Sequence, residues 1–331
     1  MIDFRPIIQR AAAACIALTV ATGISHAEVK VALDGPTDLE RSGSYVWTHA
    51  FAERLKEGGI DVRELPRGSV GGEAEKLDQV SMGLIEVSLS DVKSIGKFDP
   101  LIYGVRLPYI FDDLAHMDRV LEKGDVIARI NEAIARSDVM LAALVPLGRP
   151  MGIFNSKIEV KSPADMSNLR MRALDDSHVK IFEAWGASAT VVSWGEVPTA
   201  LQTGVVDGYL QTPLVPLVFG HTDFLTEFTD VQVTIPLRAV LISRIWYEGL
   251  DSDERATVDA AIAAGVDATR AWQVEAREAP MAALASAGVN ITLLDEAERE
   301  AFRAKAKRVW TTDLIGSEAA SFWSELSDAT R

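Results

Sequence analysis

The chain has 331 residues, 48% hydrophobic and 24% charged, with a formal net charge of −15. That length holds a large core and most naturally two domains. The acidity and the lack of any Lys/Arg run exclude a nucleic-acid partner and speak against a protein lying on anionic lipid.

Residues 1–27 read as a secretory signal. Arg5 and Arg10 give a basic start, and Ala11–Val20 an apolar core too short to span a bilayer. Ser25-His26-Ala27 is a small-x-small cleavage site. Cys15, the only cysteine, leaves with the signal, so disulfides and thiol chemistry are excluded from the mature chain. The expected location is the periplasm, with no membrane insertion of the mature chain.

Strands are predicted over 28–33, 60–65 and 85–89, with helices over 45–57 and 74–82 between them. This βαβαβ order predicts a parallel sheet with right-handed crossovers. Pro100–Ile110 is an apolar and aromatic connection, followed by helices over 112–121 and 125–136 and a doubly buried strand over 140–147.

The stretch Asn168–Leu214 is the densest in signals. Leu169, Met171 and Ala173 alternate with Arg170 and Arg172, which predicts a strand. A helix carrying Val179, Phe182 and Trp185 stops at Gly186. Ala189–Val192 is a second strand. Gly195 serves as N-cap to a helix with Pro198 in its first turn. That helix stops at Gly204, and Val205-Val206-Asp207 lead into a third strand.

Further on, short strands are predicted over 231–235 and 239–243. Asp251–Leu284 is a long Ala-rich helical pattern with Ser252 as N-cap and Pro280 as a bend. A strand over 289–294 and two amphipathic helices finish the chain. The segments QVSMGLIEVSL (79–89) and ALQTGVVDGYL (200–210) echo each other: helix end, Gly, two aliphatics, an acid, then a strand. Either this unit is simply common, or two similar lobes face one another across a cleft.

Arg172 ends a strand opposite the apolar Met171. Its planar fork suits a carboxylate clamp, and a surface strand arginine is the alternative. His49, His116, His178 and His221 lack metal-ligand spacing, so no metal or cofactor is expected. No nucleophile motif, phosphate loop or dinucleotide fingerprint occurs.

NLRMRAL, WGASATVV and SWGEVPTALQTGVVDG together resemble the signature region of TRAP-type (tripartite ATP-independent periplasmic) solute-binding proteins, the dicarboxylate-binding DctP-like family. GSVGGEAEKLDQVSMGLIEVSLSD and LPYIFDDLAHMDRVL are similar to two further family segments, so the resemblance covers most of the chain after residue 28. It implies an α/β fold of two periplasmic-binding-protein-like lobes, with a hinge and a long helix spanning both. Lobe I is expected over 28–146 plus about 234–276, and lobe II over 147–233 plus about 277–331. The resemblance implies capture of a small carboxylate-bearing organic anion by lobe closure and delivery to a membrane permease, by a monomer without enzymatic activity. A receptor for a membrane sensor and a periplasmic enzyme on an acidic substrate are the alternatives.

The implied ligand-binding residues are Arg172 as clamp, Arg149 as a second contact, with a hinge-side ion pair as its alternative, and Trp194 as an aromatic wall where the family usually has Phe. A polar side chain follows the Asp-Gly. DGYLQTP is one residue longer than the common form, which leaves Tyr209, Gln211 and Thr212 open for that place. Glu73 and Asp91 would add acceptors from the first lobe. Ala173-Leu174-Asp175-Asp176 replaces the family's Val-Pro and predicts a more acidic rim.

Overall fold

A computed structural model describes residues 28–275, 279–311 and 315–331. The expected signal, 1–27, lies outside the described residues. Two sheets organise the chain. The first contains β1 (Val29–Ala32), β2 (Val62–Leu65), β3 (Val87–Asp91), β4 (Val139–Pro146) and β10 (Leu237–Ser243), in the order β2-β1-β3-β10-β4. The second contains β5 (Gly152–Asn155), β6 (Arg170–Ala173), β7 (Ser188–Val191), β8 (Gly208–Gln211), β9 (Glu227–Thr229) and β11 (Asn290–Thr292), in the order β11-β9-β5-β8-β6-β7.

The expected parallel βαβαβ unit is present, inside a sheet that is mixed as a whole. β2, β1 and β3 run parallel, but β10 pairs antiparallel with both β3 and β4. β10 returns from the second half of the chain, and its direction of entry sets that pairing. Two strands escaped the sequence reading, β5 and β9. Conversely, 231–235 is not a sheet strand. It is one side of a crossing ribbon between the sheets, where Met151 N–H donates to Thr234 O and Val233 N–H to Met151 O. Leu147 N–H donates to Pro236 O in the same ribbon.

The echo between 79–89 and 200–210 is structural. In both segments a helix ends, a glycine follows at φ near +68° (Gly83) or +67° (Gly204), and a central strand begins. Glu86 accepts the N–H of Lys30 at the start of β1, at 2.7 Å. Asp207 accepts the N–H of Arg170 at the start of β6, at 2.8 Å. Each acid also ion-pairs with that residue's side chain. Burial opposes ionisation of Asp207, but Arg170 and Lys157 hold its carboxyl down at about 2. Gly208 fills a further requirement of the signature: a Cβ there would strike the Phe154 carbonyl of the adjacent β5.

The long helix covers Ser252–Glu275. Asp251, not Ser252, caps it, accepting from the N–H groups of Asp253 and Glu254 at 2.9 Å each. A carboxylate at a helix N-terminus also gains from the macrodipole. Pro280 lies in the helix Ala279–Ser286, and residues 276–278 between it and the long helix lie outside the described residues. Likewise Gly195 sits inside a short 3-10 turn, Trp194–Glu196, ahead of the helix Val197–Gln202. Val258 and Ala261 bury the long helix against the first sheet, while Trp272 packs with Val46 and with Leu214 from beyond β8.

The chain's end departs from the expected lobe boundary. Phe302 packs with Trp185 on the second sheet, centroids 5.2 Å apart. The last helix, Ser317–Asp328, instead carries Trp323 into the first sheet's core, where its indole N–H donates to Leu101 O at 2.9 Å. An apolar face that includes Phe322 and Leu326 drives this return.

Candidate functional site

A cleft of about 540 Å³ opens between the two sheets. Its walls are the loops that follow β1, β2, β3, β6, β7 and β8, together with the crossing ribbon. Loops at the carboxyl ends of strands are where open α/β sheets bind ligands.

Arg172 lies at this cleft and is 2% exposed. Strand alternation sends Arg170 outward to Asp207 and Arg172 inward. The Arg172 Nε donates to Val192 O at 2.9 Å, and its guanidinium lies 5.5 Å from the centre of the Trp194 ring. Its Nη2 is buried with no hydrogen-bond partner. Burial pulls this guanidinium down to about 10, which leaves it charged at neutral pH. A buried cation lacking an anion is costly unless something supplies one.

Trp194 lines the cleft, in edge contact with Phe219 at 5.2 Å. Of the three residues left open after Asp-Gly, Gln211 lines the cleft. Its Oε1 accepts the N–H of Thr212 at 3.0 Å. Tyr209 is fully buried behind Trp194 and shares a hydrogen bond of 3.0 Å with His221 Nδ1. Thr212 is buried at 1% exposure, against Gly148 of the crossing ribbon. Both therefore support the wall rather than form it.

Arg149 takes the ion-pair alternative. It pairs with Asp230 at 3.1 Å, tying the two strips of the crossing ribbon together. Glu73 and Asp91 do line the cleft, but not as free acceptors. Glu73 takes the N–H of Asp91 and the Ser94 hydroxyl, both at 3.1 Å, and pairs with Lys76 at 3.2 Å. Asp91 pairs with Arg238 at 2.9 Å and with Arg106 at 3.6 Å.

These last contacts belong to an alternating row that the sequence reading missed. Asp34 pairs with Arg238 at 2.6 Å, Arg238 with Asp91, Asp91 with Arg106, and Arg106 with Asp175 at 2.6 Å. Asp175 caps the helix Asp176–Trp185, so the row crosses from the first lobe to the second. Burial opposes its ionisation, yet Arg106, His178 and Ser177 hold the Asp175 carboxyl well below the usual range. A lone arginine inside PLIYGVRLPYI was the available signal. A cation in an apolar run must be paired when buried.

His178 lines the cleft beside this row. Burial, reinforced by Arg106, pushes its pKa down to about 3. Burial alone pushes His221 down to about 4. Both are thus neutral when folded and bind protons more readily when unfolded. Their contribution is complete above about pH 6.5 and is lost progressively on acidification toward those values. The melting temperature is expected to fall between pH 7 and pH 5, each histidine adding at most about 1.4 kcal/mol per pH unit. His178→Gln should flatten that slope in a series of thermal melts; an unchanged slope would refute the assignment.

Among the described residues no group of His, Cys, Asp and Glu is arranged to hold a metal ion, and no helix is long and apolar enough to cross a membrane.

The profile of the bacterial extracellular solute-binding proteins, family 7 (DctP), matches residues 37–315. The chain belongs to that family. A solute-binding protein of Chromohalobacter salexigens is 23% identical over 266 residues, covering 79% of this chain and 78% of the relative. A TRAP periplasmic solute-binding protein of Roseobacter denitrificans, solved with bound β-D-glucuronate, superposes with a TM-score of 0.83 at 22% identity, covering 92% of this chain and all of that one. One from Shewanella oneidensis, solved with bound succinate, gives 0.82 at 17% identity, with 92% of this chain and all of that one covered. The two-lobed α/β architecture of this chain is the fold of these proteins.

Proposed function

We propose that this family member captures a small carboxylate-bearing organic anion in the periplasm by closing its lobes. It then delivers the anion to the membrane permease of a TRAP transporter. One observation carries the reading: the buried Arg172 guanidinium with its unpartnered Nη2 at the cleft. A carboxylate there supplies the missing acceptor in a charge-assisted bond. Trp194 gives the ligand an apolar wall, and the Gln211 amide is placed to orient it. The succinate and glucuronate in the related structures share that carboxylate. On this reading residues 1–27 are the cleaved signal, the mature chain acts as a monomer, and its task is capture without turnover.

A thermal-shift screen against small organic acids, amino acids and neutral sugars tests it. A ligand at about 100 times its dissociation constant stabilises by about 2.7 kcal/mol, which moves the midpoint by several degrees. Carboxylates should give that shift and neutral sugars should not. Hits confined to neutral sugars or metal ions would sink the reading.

A further inference from the structure

The row of buried charges holds one contact that the capture reading does not use. Arg106 Nη1 lies 3.6 Å from Asp91 in its own lobe and donates to Asp175 Oδ2 at 2.6 Å in the other. Arg106 is fixed in the first lobe, since Val105 and Leu107 on either side of it sit in that sheet's core. Asp175 follows β6 of the second sheet, and its two oxygens have separate tasks. Oδ1 accepts the N–H and the hydroxyl of Ser177 and so caps its own helix, while Oδ2 crosses to Arg106. Arg106 lines the cleft; Asp175 is not part of its wall.

Such a pair can break and re-form, because separating the lobes strands neither charge. The first-lobe part of the row, Asp34, Arg238, Asp91 and Arg106, is balanced by itself, two acids against two arginines. Asp175 would keep Ser177 and the helix N-terminus, which favours a negative charge. The contrast with Arg172 is direct. Arg172 takes its missing acceptor from a ligand, whereas Arg106 takes one from the opposite lobe of the same chain.

We propose that Asp175 is a positioning residue for capture: its bond to Arg106 latches the lobes together and sets the share of free protein that is closed, without touching the ligand. This rests on the lobe closure of the capture reading and not on the chemistry of the ligand. Where only the closed state binds, the apparent affinity scales with the closed fraction. Loss of the latch therefore weakens every ligand by one common factor, whereas loss of a ligand contact changes their ranking.

Asp175→Asn tests this. Asparagine keeps the shape and caps a helix as well as aspartate does. With its oxygen on Ser177, its amide turns N–H groups toward those of Arg106. Spin labels at Thr37→Cys and Thr199→Cys, exposed positions on the first and second lobes, report the lobe separation. The chain's one cysteine, Cys15, lies in the expected signal. Pulsed dipolar spectroscopy of the ligand-free protein should show a closed population that shrinks in Asp175→Asn in favour of longer distances. Titration calorimetry with D-glucuronate and with succinate should show affinity falling about fivefold or more, by the same factor for each acid that binds. A thermal melt checks that the variant folds; if it does not, Asp175→Ser, which also caps a helix, takes its place. An unchanged distance distribution would overturn the proposal. So would a loss that differs between the two acids, since that makes Asp175 a ligand contact. If neither acid binds, the distances alone decide the latch, and the capture reading stands or falls by its own thermal-shift screen.

Discussion

Arg172→Ala is expected to weaken carboxylate binding by about 2 to 5 kcal/mol, the range for truncating one partner of a buried hydrogen-bonded charge pair. The side chain is 2% exposed, and Val192 O fixes its Nε. The direction of the fork is therefore set before any ligand arrives, and little rotamer entropy is lost on binding. Arg172→Lys should not restore affinity, because a point charge on a flexible stem offers neither the fork nor the stacking on Trp194. The empty protein should respond in the opposite sense. Arg172→Met removes a buried cation with an unsatisfied Nη2, so its ligand-free melting temperature should hold or rise. Calorimetric titration and thermal melts read the two effects separately. Unchanged affinity in Arg172→Ala would remove the clamp.

The second large effect concerns stability. Arg106→Met is expected to cost about 3 kcal/mol, the low end for breaking a buried pair, because the acid it strands, Asp175, is only partly buried. Arg106 is 9% exposed and is the only link in the described row between Asp91 and Asp175. Asp91 would keep Arg238; Asp175 would keep only its bonds to Ser177. Urea unfolding should show the loss, and adding Asp175→Asn to Arg106→Met should return part of it. The folded pKa of Asp175 lies below its unfolded value, so the contribution of the pair is whole above about pH 4 and is lost as pH falls below that. If the single variant unfolds at the same urea concentration as the parent, the row carries no such weight.

Local signals exposed much of this molecule. The alternation of Arg170 and Arg172 with their apolar neighbours gave both the strand and the direction in which each arginine leaves it. The glycine–aliphatic–acid echo marked two equivalent turns whose acids do the same job. What escaped depends on partners remote in the chain. β5 and β9 are four and three residues long, and they are strands because each lies against the other and against β8 or β11. Val231–Ile235 alternates like a sheet strand, and it does pair, but with Met151 in the crossing ribbon. Arg106 meets acids 15 and 69 residues away, and no spacing rule reaches that far. The resemblance implies a ligand contact for Arg149, with a hinge-side ion pair as the alternative; the carboxylate of Asp230, 81 residues on, takes its guanidinium.

The crossing ribbon also limits how the lobes can move. Its two strips are bonded to each other through Leu147, Met151 and Val233, and again through Arg149 and Asp230. Two hydrogen-bonded strips bend across their flat face without breaking the bonds between them, whereas sliding one strip along the other would break those bonds. On the capture reading, closing the cleft would bend this ribbon.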